Sequence, residues 1–123
     1  MEKKLILLLL LVTICSDIYP EIKKVTSAGI VYNVDTGSGT ASVGQNYIMS
    51  ISSSGDKNYS GSLYGNIVIA SSVKYRGRYY TVTSIDPDAF YGCRNIVSIS
   101  IPATVTTLDH RNFNYELFDL KQI

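Results

Sequence analysis

Ile85 and Leu108 stand 23 residues apart, and so do Phe90 and Phe113, so a repeated unit is the strongest constraint on what this chain can fold into. The unit reads Ile85-x-x-x-Ala89-Phe90-x-x-Cys93-x-x-Ile96-x-x-Ile99-x-Ile101-Pro102-x-x-Val105-x-x-Leu108. The alternation of Ile99 and Ile101 predicts a short strand, and Pro102 ends it because proline brings no N–H to the next ladder bond. Apolar residues three apart on either side suit tight turns or short 3₁₀ segments that keep pointing inward. Such a chain coils, setting one strand in each turn at the same height, and successive turns stack about 4.8 Å apart. Ile85, Ala89, Phe90, Cys93, Ile96, Ile99, Ile101, Pro102, Val105 and Leu108 are then the expected core of a solenoid.

The other end of the chain is of a different kind. Met1-Glu-Lys-Lys4 precedes an apolar run from Leu5 to Ile14, followed by Cys15-Ser16-Asp17. This charged start, apolar middle and polar exit predict a helical signal peptide over 1–16. Ten residues in a helix cover about 15 Å, half of what a membrane span needs. A second reading makes Cys15 a lipid-modified first residue, since Leu11-Val12-Thr13-Ile14-Cys15 resembles the bacterial lipoprotein box, although Ile14 stands where that box takes a small residue. Once this segment is set aside, Cys93 is the remaining thiol, so no intramolecular disulfide is expected. Cys93 with the lone His110 invites a nucleophile and base reading. The stronger reading is burial, because Cys93 sits in the apolar frame of the repeat and unpaired cysteine is among the most buried residue types.

Lys and Arg total 11 against 10 Asp and Glu over 123 residues. Setting Glu2, Lys3 and Lys4 aside with the signal brings the formal charge to zero, which excludes a general field for nucleic acid or acidic membrane. The remainder is rich in Ser, Thr, Tyr, Val and Ile and favours β structure. Gly29-Ile-Val-Tyr-Asn-Val34, the turn-like Asp35-Thr-Gly-Ser-Gly39 and Thr40-Ala-Ser-Val43 predict a hairpin. Gly37 and Gly39 lack the third glycine and following helix of a dinucleotide fingerprint. Tyr47–Ile51 reads as a strand, and Ser52 to Gly61 as a polar, flexible connection containing the sequon Asn58-Tyr59-Ser60. Ile67-Val-Ile69 leads to Val73 and to a second hairpin, Lys74 to Ile85, turning at Gly77. There Lys74, Arg76 and Arg78 interleave with Tyr75, Tyr79 and Tyr80; as a nucleic-acid stacking patch this fits the neutral charge poorly, and basic guards of a solvated strand fit better.

These residues resemble a known family. Asp88-Ala89-Phe90-Tyr91-Gly92-Cys93-Arg94-Asn95-Ile96-Val97-Ser98-Ile99-Ser100-Ile101-Pro102-Ala103-Thr104-Val105 is similar to the BspA-like leucine-rich repeat, whose unit runs A-F-x-x-C-x-x-L-x-S-I-x-I-P-x-S-V-x-x-I. Ile67-Val-Ile-Ala70-Ser-Ser-Val73 resembles the half-repeat that opens such arrays, with Ala70 where the pattern has Pro. The hairpin from Gly29 resembles their N-terminal cap. After Phe113 the Gly-Cys pair is replaced by Tyr115-Glu116, and His110-Arg111-Asn112 replaces the usual small residues. The resemblance implies a mainly β protein, with a β-hairpin cap leading into a short leucine-rich-repeat solenoid. Its expected divisions are a signal peptide at 1–16, a linker at 17–27, a cap at 28–82 and one full and one partial repeat at 83–123. It further implies a secreted or surface-displayed bacterial protein, non-enzymatic, that binds a protein or cell-surface ligand in the manner of an adhesin.

Solvent-facing Ser98 and Ser100 beside Ile99 and Ile101 are the expected repeat surface, the ligand-binding residues being open. Two alternatives stand beside this: a truncated remnant of a longer repeat protein, and a small secreted hydrolase. Against the hydrolase, Asp86 and Asp88 flank Pro87 with no second acid placed across from them, and Asp109 and His110 are adjacent and point apart on an extended chain. One His and one remaining Cys give no metal-ligand spacing, so neither a metal nor another cofactor is expected.

Overall fold

A computed structural model describes residues 20–108. The expected signal peptide, Cys15, His110 and Phe113 lie outside the described residues. Within them the chain is mainly β, with nine strands and no helix: β1 (Ile22–Ser27), β2 (Ile30–Asp35), β3 (Thr40–Val43), β4 (Tyr47–Ile51), β5 (Lys57–Gly61), β6 (Gly65–Val68), β7 (Ser72–Tyr75), β8 (Arg78–Ile85) and β9 (Ile96–Ser100). They form a five-stranded sheet in the order β1-β2-β3-β8-β7 and two pairs, β4-β5 and β6-β9. The large sheet curls, so that its two edges, β1 and β7, approach each other.

Both expected hairpins form, and local chemistry explains their turns. Asp35 closes the β2–β3 loop: its carboxylate accepts from the Gly37 and Ser38 amides at 2.9 and 3.3 Å. The β1–β2 and β7–β8 turns have two central residues each, Ala28-Gly29 and Arg76-Gly77, all with positive φ (49°, 82°, 48° and 80°). That is the type I′ geometry whose twist matches the flanking strands, and glycine takes its second place without strain.

The four antiparallel ladders alone would make ordinary hairpins; the parallel pairings change the character of the fold. β3 lies parallel to β8 with Val43 opposite Ile85, and β6 lies parallel to β9 with Ile67 opposite Ile99. Ser84 bridges Thr107 in parallel, 23 residues on, and Thr106 donates its amide to the Thr83 carbonyl at 3.0 Å. The β6–β9 register extends to Ile69, whose amide donates to Ser100 at 3.0 Å, and so sets Ala70 level with Pro102. Proline has no N–H there; Ala70 has one, and it donates to the buried Tyr32 hydroxyl at 3.0 Å.

Alternation sends Ile30, Tyr32 and Val34 of β2, Ala41 and Val43 of β3, and Tyr80 and Val82 of β8 into one core; the register shift between Val82 and Ser84 turns Ile85 inward too, and Ile67, Ile69, Phe90, Cys93, Ile96 and Ile99 join them. Ile96 and Ile99 both point inward despite their odd spacing, because Ser98, not Val97, pairs with Asn66 and the bulged Val97 turns out to solvent. Gly61 lies tight against Cys93: a Cβ there would overlap the backbone nitrogen and Cα of Cys93.

Four expectations need correction. The segment expected as a linker, 17–27, contributes β1, which pairs along its whole length with β2. Its signal is hidden because Lys23 and Lys24, suited to an edge strand, break the apolar pattern around half-buried Val25. The boundary expected between 82 and 83 falls inside β8, a single strand. Lys57–Gly61, read as flexible connection, is β5, held by its ladder to β4 while almost wholly exposed, so no apolar alternation marks it. Leu108, expected in the core, is 52% exposed, because no described turn covers it.

Candidate binding face

The residues that alternate out of the core of β2, β3 and β8 are Asn33, Asp35, Thr40, Ser42 and Ser84, with Asp86 just beyond. A register shift between Ala41 and Ser42 places Ser42 directly beside Ser84 across the parallel pair. All six line a cavity of about 330 Å³, with Ile22 and Ala41 completing its wall. A second cavity of about 510 Å³ shares Asn33 and Asp86 and adds Lys24, Gln45, Pro87 and Asp88. The two form one polar trough across the sheet.

Its geometry is set from several directions. The Asn33 amide donates to the Asp86 carboxylate at 2.7 Å, tying β2 to the turn after β8. The Asp86 backbone amide donates to the Val43 carbonyl at 2.9 Å, and Ala89 donates to the Asp86 carbonyl at 3.2 Å. Two backbone amides aimed at its carboxylate, Gly37 and then Ser38, hold Asp35 below the usual carboxylate range, so it is an acceptor at neutral pH. Hydroxyls, an amide and carboxylates arranged on a rigid sheet can exchange hydrogen bonds with a polyol or a peptide backbone.

The nucleophile reading of Cys93 finds no support in its surroundings. Cys93 is 1% exposed, its Sγ donates to the Asn46 carbonyl at 3.4 Å, and burial pushes its thiol above the ordinary value. A reactive thiol needs the opposite, an electropositive and accessible setting. Of the positions expected in the repeat core, Ile85, Ala89, Phe90, Cys93, Ile96 and Ile99 are buried, and Ile101, Pro102 and Val105 are half-buried. On the outer face of β9, Ser100 is exposed, whereas Ser98 is half-buried and donates to the Asn66 side chain at 2.7 Å, a cross-strand bond that occupies it. Among the described residues no group of three or more His, Cys, Asp or Glu could hold a metal, and no helix is long and apolar enough to cross a membrane.

Two features escaped the sequence reading. Asn46, 1% exposed, is a polar hub: its Oδ1 accepts from Val31 at 2.8 Å and its Nδ2 donates to Gly44 at 2.9 Å and to Val31 at 3.3 Å. Its backbone donates to Ala89 and accepts from Ser62, so one residue links β2, the β5–β6 connection and the turn that follows β8. Nothing but the turn-like Gly44-Gln45-Asn46 hinted at it. Tyr47, Tyr59 and Tyr91 form a mutual edge-to-face trio with centroids 5.2 to 5.7 Å apart, bracing the β4–β5 hairpin against the turn at Tyr91. Compared with protein-family models, curated proteins and solved structures, the chain matches none.

Proposed function

We propose that this protein is a non-enzymatic binding module of the adhesin type, a cap and the first turns of a leucine-rich-repeat coil, working outside the bacterial cell. The carrying observation is the polar trough from Asp35 to Asp88, a concave, hydrogen-bond-rich surface on a rigid sheet, of the kind that recognises extended ligands. Parallel stacking of β3 on β8 and of β6 on β9, with the Ser84 to Thr107 bridge at the spacing of the repeat, supports the coil reading. The buried, protonated Cys93 supports a structural rather than catalytic thiol. The export segment read at 1–16 would deliver the domain to where such a surface meets a host or neighbouring cell.

The test is retention of the full chain on arrays of glycans and extracellular-matrix proteins, compared with Asn33→Ala and with Ser42→Leu/Ser84→Leu. Binding that is lost in both variants while their urea midpoints stay close to that of the parent supports the trough. Ligands retained equally by parent and variants would place recognition elsewhere, and catalytic turnover of any retained ligand would overturn the non-enzymatic reading.

A further inference from the structure

The curl of the large sheet creates a second concavity, at its open edge and on the opposite face of β1 from the trough. Ile22 lines the trough, whereas Lys23, one residue on, lines a separate cavity of about 200 Å³ together with Glu21, Thr36, Tyr75, Arg76, Arg78 and Tyr80. Three cations and one carboxylate meet there, and Glu21 already pairs with Lys23 at 2.9 Å. The charge left over is that of the two guanidinium groups.

Both are held in place by what surrounds them. Arg76 lies over the Tyr75 ring at 5.5 Å and Arg78 over the Tyr80 ring at 5.0 Å. Arg78 also donates to the Thr36 carbonyl at 3.3 Å and rests on Gly39, where a Cβ would collide with the guanidinium. A guanidinium stacked on a ring keeps its in-plane N–H donors directed outward, and it carries five, of which the Thr36 bond uses one. Such a fork matches carboxylate and sulfate oxygens in pairs. Lys74 differs: it pairs with Tyr79 on the other face of the hairpin, over whose ring it lies at 5.5 Å.

We propose that this cavity binds an acidic sugar residue, its carboxylate or sulfate held by Arg76 and Arg78, whose guanidinium groups Tyr75 and Tyr80 back from behind. The cavity is smaller than the roughly 300 to 1,000 Å³ of sites for drug-sized molecules, which suits one ring bearing an anion. A nucleic acid is disfavoured because base stacking needs open ring faces, and the arginines cover these.

The experiment is calorimetric titration of the full chain with heparin-derived oligosaccharides, with oligogalacturonate, with neutral dextran oligomers and with a single-stranded oligonucleotide. Binding of heparin fragments alone assigns sulfate, binding of oligogalacturonate alone assigns carboxylate, and dextran should not bind. Arg78→Gln should weaken binding at least tenfold and Arg78→Lys by an intermediate factor, since it keeps the charge but loses the fork. Lys74→Gln removes the same charge from the opposite face and should change binding less than twofold, and Asn33→Ala in the trough should leave it unchanged. Should Arg78→Gln fail to fold, Arg76→Gln in the exposed turn carries the same expectation. The proposal is overturned if neither acidic saccharide binds, if Lys74→Gln and Arg78→Gln weaken binding alike, or if the oligonucleotide binds as tightly as the saccharides.

Discussion

Asn46→Ala removes three side-chain hydrogen bonds from the interior, but their losses differ. The Val31 amide loses its 2.8 Å acceptor, whereas the Val31 carbonyl keeps the Gly44 amide at 2.9 Å. The Gly44 carbonyl loses its 2.9 Å donor. A stripped buried donor costs about 1 to 3 kcal/mol and each weakened carbonyl about 0.5 to 1, so the variant should lose about 2 to 5 kcal/mol. In a domain this small that is a large share of the total. Urea unfolding at constant m reads the loss as a fall in midpoint, and amide exchange at Val31 should quicken beyond the global change. Asn46→Asp sharpens the test. Its carboxyl can still accept from Val31, but its second oxygen faces carbonyls in a buried site, so its folded pKa must rise above the unfolded value of about 3.9. Relative to the parent, the penalty should be small below about pH 4 and grow as pH climbs. A midpoint shift for Asn46→Ala below about 0.5 kcal/mol, or an Asn46→Asp deficit that ignores pH, would refute the hub.

Other outcomes follow from the same core. Phe90→Ala, at 1% exposure, should cost about 3 to 5 kcal/mol and abolish cooperative unfolding, as read by circular dichroism. Cys93→Ser looks costlier than Cys93→Ala from the sequence, since a buried hydroxyl needs a partner; the structure supplies one in the Asn46 carbonyl, so both should unfold at similar urea concentrations, and the native thiol should resist alkylation until unfolding. Gly61→Ala forces the backbone at Cys93 to move and should cost about 1 to 3 kcal/mol, visible in the same assay. Ala28→Asn relieves a left-handed alanine and should raise stability by about 0.5 to 1 kcal/mol in thermal melts. Burial raises both the Tyr32 and the Cys93 pKa, so the folded chain keeps protons the unfolded chain releases near pH 10 and 8.5; this contribution is complete below those values and is lost as pH rises beyond them, an alkaline fall in urea midpoint that Tyr32→Phe should blunt.

What could be read in advance was local. Ile30, Tyr32 and Val34 alternate in sequence and in burial, and Arg76-Gly77 turns where Gly77 predicted it. Strands without alternation were missed: β1 is broken by lysines and β5 is polar throughout, and both exist because a neighbouring strand accepts their hydrogen bonds. The trough was missed for a related reason. Asn33, Ser42, Ser84 and Asp86 are unremarkable in sequence, and they share a surface only because β3 pairs with β8. The arginine cavity was half visible: the interleaving of Lys74, Arg76 and Arg78 with tyrosines drew notice, but only the curl brings Lys23 and Thr36 to meet Arg76 and Arg78.

By itself the sequence determined the β class and the hairpins, because alternation and turn residues act within a window of a few dozen residues. Tertiary structure alone decided that Val43 stacks on Ile85 and Ile67 on Ile99, at offsets other than 23 because the β4–β5 and β7–β8 hairpins lie between the paired strands. It also decided that Asn46 would be buried with every side-chain bond met, and that Arg78 would face a cavity while Lys74 faces away. Parallel pairing needs a crossover and carries no mark in its neighbouring residues, so it is settled only when distant segments compete for the same edge.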